Sequence, residues 1–112
     1  MEEGLRNAVS VGVDIVLGTD SGLPYTPFGK SSMQELELLV KYGGMIEMDA
    51  IVAGTLNAAR SLNIDSFTGT LETGKSADTL VFKEGKDPLE DISILQDSAN
   101  LETIFLKGTR IY

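Results

Sequence analysis

Two places in the sequence carry residue types and spacings that could do chemistry. Gly69-Thr70-Leu71-Glu72-Thr73-Gly74-Lys75-Ser76 fits G-x-x-x-x-G-K-[ST] at every fixed position. In a P-loop of that pattern, backbone amides cradle phosphates and the lysine reaches the terminal ones. The second place is Asp20, within Leu17-Gly18-Thr19-Asp20-Ser21-Gly22. A carboxylate there can ligate a metal or take a proton from a water, and its small neighbours leave room for a substrate. Each place also has a plain structural reading. Glu72-Thr73-Gly74-Lys75 is a glycine-bearing turn, and Asp-Ser-Gly is good turn chemistry.

The flanking elements separate these readings. A P-loop follows a strand and opens a helix, because the phosphate sits on the helix N-terminus. Here the segment before Gly69 reads as the end of a helix, and Ala77-Asp78 leads into the strand-like Thr79-Leu80-Val81-Phe82. Glu72 would place a carboxylate inside the cradle, and no buried strand downstream ends in an aspartate that could serve the metal. The sequence therefore predicts a turn into a strand, with Lys75 solvated and no nucleotide bound.

Asp20 has the better setting. Residues 2–11 read as a short helix, with Leu5, Ala8 and Val9 on one face and Gly12 as its stop. Val13-Asp14-Ile15-Val16-Leu17-Gly18 reads as a strand buried on both faces, as in a parallel sheet. Asp20 lies just past its C-terminal end, where parallel α/β folds carry their active sites. Residues 19–30 form a loop with two prolines, long enough to suggest function. Ser32-x-x-Glu35 is a capping box for a second helix, buried through Leu36, Leu39 and Val40 and ended by Gly43-Gly44. A third helix is predicted from Glu47 to Leu62, facing inward through Ile51, Thr55, Ala58, Ala59 and Leu62. Gly54 in its middle costs about 1 kcal/mol relative to alanine unless a neighbour approaches closely there. After Phe67 the pattern turns to β: the strand 79–82, a turn at 84–88, a helical turn within 91–97, and a hairpin of 103–106 with 109–112. The expected organisation is residues 1–64, helices with one strand, and residues 65–112, a small β region.

The bulk composition limits the function classes. The chain has 112 residues and a formal net charge of −8, with nine scattered Lys and Arg, which disfavours nucleic acid as a partner. It has no cysteine and no histidine, so thiolate chemistry, disulfides and the commonest general base and metal ligand are excluded. No apolar run has membrane-spanning length and no signal peptide is visible at Met1, so a soluble cytoplasmic protein is expected.

At this point the sequence resembles a family. "GVDIVLGTDSG" looks like the eighth barrel strand of the amidohydrolase superfamily, nearest to its imidazolonepropionase and prolidase-like branch. The resemblance continues in order through "ELELLVKYGGM", "AIVAGTLNAARSLNI", "GTLETGKSADTLVF", "DPLEDISIL" and "IFLKGTRIY". It implies the last βα part of a (β/α)8 barrel, α/β to α+β in class, followed by part of a small β-sandwich. It implies hydrolysis of amide or other C–N bonds with a divalent metal, most often zinc. Asp20 would be the metal ligand and proton shuttle, with substrate contacts at Ser21 or Gly22. In the family the other ligands are histidines and a Lys or Glu from earlier strands, which this chain lacks. The resemblance thus implies a C-terminal quarter of such an enzyme, inactive and metal-free by itself. The alternatives are one chain of a split hydrolase, or a non-catalytic module that binds a partner. A strand apolar on both faces with two unpaired edges is an association hazard. Helices are expected to cover it, or a second copy or a companion chain to pair with it.

Overall fold

A computed structural model describes all 112 residues, Met1 to Tyr112. Helix α1 spans Glu2–Ser10, with Leu5, Ala8 and Val9 half-buried. It closes in a Schellman turn: Gly12 has φ +80°, its amide donates to the Val9 carbonyl and the Val13 amide returns to the Ala8 carbonyl. The Arg6 Nε–H donates to the Tyr42 carbonyl at 2.9 Å, tying α1 to the end of the next helix.

The next segment departs from expectation. Residues 13–18 are extended but belong to no strand, because no neighbouring strand offers them a ladder. One face packs: Ile15 and Leu17 lie against the core, while Val13 and Val16 are 54% and 42% exposed. A run read as buried on both faces is instead half-buried and alternating, as a strand with one covered face is. No rearranged helix covers its outer face.

Helix α2 spans Lys30–Lys41 and starts two residues before Ser32. The capping box does not form, since the Pro27 and Gly29 carbonyls already accept from the Ser31 and Met33 amides. Ser32 thus sits inside the first turn, where its hydroxyl cannot cap. The third predicted helix is two: α3, Glu47–Gly54, and α4, Leu56–Ser61. The break is at Thr55, at φ −123° and ψ −85°, whose hydroxyl donates to the Ile51 carbonyl at 2.7 Å. A glycine followed by a β-branched residue that bonds its i−4 carbonyl weakens the helix at that point. The break re-aims the predicted stripe: Ala59 is buried as expected and Ile51 and Ala58 are half-buried, but Thr55 and Leu62 are exposed, and Ala50 and Ala53 are buried in their place. The close approach expected at Gly54 is present. A Cβ there would lie 3.2 Å from Leu36 Cδ2 and 3.7 Å from Leu17 Cδ1.

Helix α4 ends in a second Schellman turn, with Asn63 at φ +57° and the Ile64 amide on the Ala59 carbonyl. The β region then follows the predicted order. Strand β1 spans Thr79–Phe82, β2 Leu101–Leu106 and β3 Thr109–Arg110, forming an antiparallel sheet in the order β1-β2-β3. Lys107 and Gly108 both have positive φ, +50° and +79°, as a two-residue type I′ hairpin turn requires. Between β1 and β2 lie two short 3-10 helices, Ile92–Gln96 and Ser98–Asn100, begun by Asp91 and Asp97 side chains that accept from the Ser93 and Ala99 amides.

The core is small: Leu36, Leu39, Ala50, Ala53 and Ile92 form its centre. Ile92 comes from the second half of the chain, so the helical and β parts share one core. No helix is long and apolar enough to cross a membrane.

Gly69 presses directly on α4. With φ +95°, a Cβ built there would lie 2.8 Å from Ala59 Cβ and 3.3 Å from Leu56 Cα. Gly69→Ala is expected to destabilise the chain by about 2 kcal/mol or more in urea unfolding. Gly4→Ala, on open helix surface, should stabilise by up to about 1 kcal/mol.

Candidate functional site

Asp20 stands where the extended segment ends, as expected. It is exposed and adopts a left-handed backbone conformation, φ +49°. Aspartate tolerates that region better than most residues, and such conformations cluster at turns and functional sites. Ser21 is half-buried. Gly22 has φ +116°, and its amide donates to the Thr26 carbonyl at 2.8 Å, while the Thr26 amide returns to Leu23 at 3.0 Å. The loop beyond Asp20 is therefore a small closed hairpin with Pro24 and Tyr25 at its tip. The Phe28 ring lies over Gly22, where a Cβ would come within 2.8 Å of its Cζ. Gly22 is accordingly needed for backbone shape and ring packing.

The residues that aim Asp20 were not evident in the sequence. The Leu17 amide donates to the Ala53 carbonyl at 3.1 Å, at the end of α3. The Asn57 Nδ2–H donates to the Ile15 carbonyl at 3.0 Å, from α4. These bonds replace part of a strand ladder and hold the extended segment on the helices. The available signal was Asn57 itself, a poor helix former on a face otherwise made of small apolar residues.

The segment Gly69–Ser76 has the context predicted for a turn. The Lys75 amide donates to the Glu72 carbonyl at 3.1 Å, and Gly74 has φ +90°, in the third position of the turn. It follows α4 and leads into β1, so no helix N-terminus faces it. Lys75 differs from expectation. Its side chain is only 17% exposed and pairs with Glu72 at 2.9 Å. It also donates to Thr70 Oγ1 at 2.9 Å. The ammonium that would meet a phosphate is spent inside the turn. The Thr70 hydroxyl, with help from Lys75, holds the Glu72 carboxyl below its ordinary range.

Asp78, next along, has a structural task. Its carboxylate accepts from the Lys107 amide at 2.8 Å, joining the start of β1 to the hairpin turn. That bond, reinforced by the Ser76 hydroxyl, lowers its pKa.

A model of the amidohydrolase family matches residues 2–111. The chain belongs to the amidohydrolase family. It is 35% identical over 108 residues to ochratoxinase from Aspergillus niger, covering 96% of this chain and 21% of that protein. It is likewise 35% identical over 108 residues to imidazolonepropionase from Thermoplasma volcanium, covering 96% of this chain and 26% of that one. Among solved structures, a Bifidobacterium longum protein assigned as a prolidase superposes with a TM-score of 0.86 at 36% identity, over 99% of this chain and 26% of its own length. The chain thus spans about a quarter or less of the relatives it matches.

Proteins of this family are generally metal-dependent, which makes the donor set around Asp20 the point to test. No group of three His, Cys, Asp or Glu side chains is gathered anywhere in the chain. A zinc site takes three or four protein ligands. Asp20 is a single donor, so the residues present do not by themselves fit a divalent metal.

Two measurements check these assignments. Asn57→Ala leaves the Ile15 carbonyl without its partner; it should cost about 1 kcal/mol and speed hydrogen exchange at the Leu17 amide. Because the pKa of Asp78 is lowered in the folded chain, its contribution to stability is present above the ordinary aspartate range and is lost as pH falls through the lowered value. In an acid titration followed by NMR, the Lys107 amide should move with a midpoint below that range, and Asp78→Asn should abolish the transition.

Proposed function

We propose that this chain is the part of a C–N bond hydrolase that ends the catalytic barrel and begins the adjoining β-sandwich, with Asp20 as its one catalytic carboxylate. The observation that carries this reading is the placement of Asp20. It lies at the C-terminal end of the extended Val13–Gly18 segment, exposed, in a left-handed conformation and outside the chain's one ion pair. Residues 13–18 are then the eighth barrel strand, whose ladder partners lie outside these 112 residues. That accounts for an extended segment held only by Ala53 and Asn57.

In this reading Asp20 accepts a proton from the water that attacks the substrate carbonyl and later returns it to the leaving nitrogen. A general base so placed is worth roughly 10²–10⁴ in rate. The small residues Gly18 and Ser21 leave space beside it for the substrate, whereas the space over Gly22 is filled by the Phe28 ring. A divalent cation, zinc by preference, belongs to the complete site, with its other ligands supplied from elsewhere. One carboxylate does not assemble that site, so the isolated chain is inactive. The named relatives support the reaction class, since a prolidase and a Xaa-Pro dipeptidase cleave amide bonds; the dipeptidase superposes with a TM-score of 0.82 at 32% identity.

The test is a chimera in which this chain replaces the matching 108 residues of the Aspergillus niger ochratoxinase. The chimera should hydrolyse amides, and Asp20→Asn should lower kcat by about 10²-fold or more with circular dichroism unchanged. Asp14→Asn, within the extended segment, should leave kcat alone. Equal rates for Asp20→Asn and the unmodified chimera would refute the assignment.

A further inference from the structure

The loop after Asp20 sets its own shape. It closes between Gly22 and Thr26, with the Gly22 amide on the Thr26 carbonyl and the Thr26 amide on the Leu23 carbonyl. Pro24 and Pro27 lock two further φ angles. The Lys30 amide then donates to the Phe28 carbonyl at 2.9 Å and the Ser31 amide to the Pro27 carbonyl at 3.2 Å, which leads the loop into α2. Gly22 and Gly29, at φ +116° and +77°, bracket the segment. All of these bonds are made within residues 22–31, so the placement of Phe28 needs no segment from outside the chain.

That placement leaves most of the ring bare. The tip of the Phe28 ring is seated on Gly22, two residues past Asp20, yet Phe28 is 79% exposed. The aromatic side chain is thus held at one end and open elsewhere. An aromatic fixed in advance spares its ligand part of the ordering cost. Ligand sites are built in this way, from apolar and aromatic walls around a few polar groups. In a barrel, the loops that follow the strands enclose the active site, and this loop follows the segment that delivers Asp20. No charged residue lies between Asp20 and Lys30. A charged substrate group settled against the ring would lose its hydration and find no partner of opposite sign on the loop.

We propose that Phe28 is a specificity-determining residue of the Asp20 site, an aromatic wall that receives an uncharged apolar substituent beside the scissile C–N bond. The proposal rests on the reading of Asp20 as the catalytic carboxylate. A branched aliphatic group of leucine size covers the ring and gains contact with it. A substituent no larger than hydrogen leaves the ring wet. Discrimination by such a wall is worth tenfold or more, since even one methylene in an apolar pocket is worth roughly 10–200-fold.

The test uses the ochratoxinase chimera with leucylglycine and glycylleucine, each against glycylglycine. The chimera should prefer at least one leucine dipeptide in kcat/KM. Phe28→Ala should reduce that preference by about tenfold, mainly through KM, and Phe28→Leu, which keeps an apolar wall, should restore most of it. A loss equal for all three dipeptides would mean that the ring only packs the loop or the rest of the protein, and would overturn the proposal; so would an unchanged preference. The catalytic reading fails separately: Asp20→Asn without effect on kcat refutes that reading, whereas a slow Asp20→Asn together with an unchanged preference in Phe28→Ala refutes this one. Should the chimera turn over none of the dipeptides, saturation-transfer NMR with N-acetylleucinamide decides. Transfer to the leucine methyl groups that disappears in Phe28→Ala supports the wall, and no transfer, or transfer that persists in the variant, overturns it.

Discussion

The structure rests on one close packing of a large-residue helix against a small-residue one. Leu36 and Leu39 of α2 lie against Ala50 and Ala53 of α3, and both alanines are fully buried. Small side chains let the two helices approach, and Gly54 extends the approach by accepting the Leu36 and Leu17 methyl groups. Everything else is hung on this contact. Ile92 enters it from the β part, the Ala53 carbonyl holds the extended segment, and α1 reaches it through Leu5. A core of so few buried residues supplies limited hydrophobic stabilisation at about 25 cal/mol per Å² of apolar surface. Local devices consequently matter here: two left-handed helix ends, two aspartate-capped 3-10 turns and the Asp78 tether.

What was legible in the sequence follows the range of the forces involved. The turn at Gly74, the hairpin around Lys107-Gly108 and the stop at Gly12 are written in a few adjacent residues and are found where they were read; the capping box at Ser32, equally local, does not form because the helix begins two residues earlier. The position of Asp20 at the end of an extended run was likewise local. Features set by distant partners were not. Whether Val13–Gly18 becomes a strand depends on a ladder that no stretch of this chain supplies, and its apolar residues say nothing about that. The break at Thr55 arises from a balance between a weak helix residue and a hydroxyl bond that a helical stripe does not reveal. Lys75 looked like a free cation because the folding of Glu72 and Thr70 back onto it is a property of the closed turn. The G-x-x-x-x-G-K-[ST] pattern shows the same limit from the other side: its spacing is local, but the helix that gives it meaning is absent.

The segment leading to Asp20 is gripped twice, by different bodies. Ala53, at the end of α3, holds Leu17, and Asn57, at the start of α4, holds Ile15. Between these two anchors lies Thr55, where the helix is broken. The two grips are therefore not fixed to one rigid rod. A change in the angle between α3 and α4 moves one anchor relative to the other, and the segment between them must twist in response. The backbone geometry at Thr55 thus fixes the offset between the two grips on the segment that ends at Asp20.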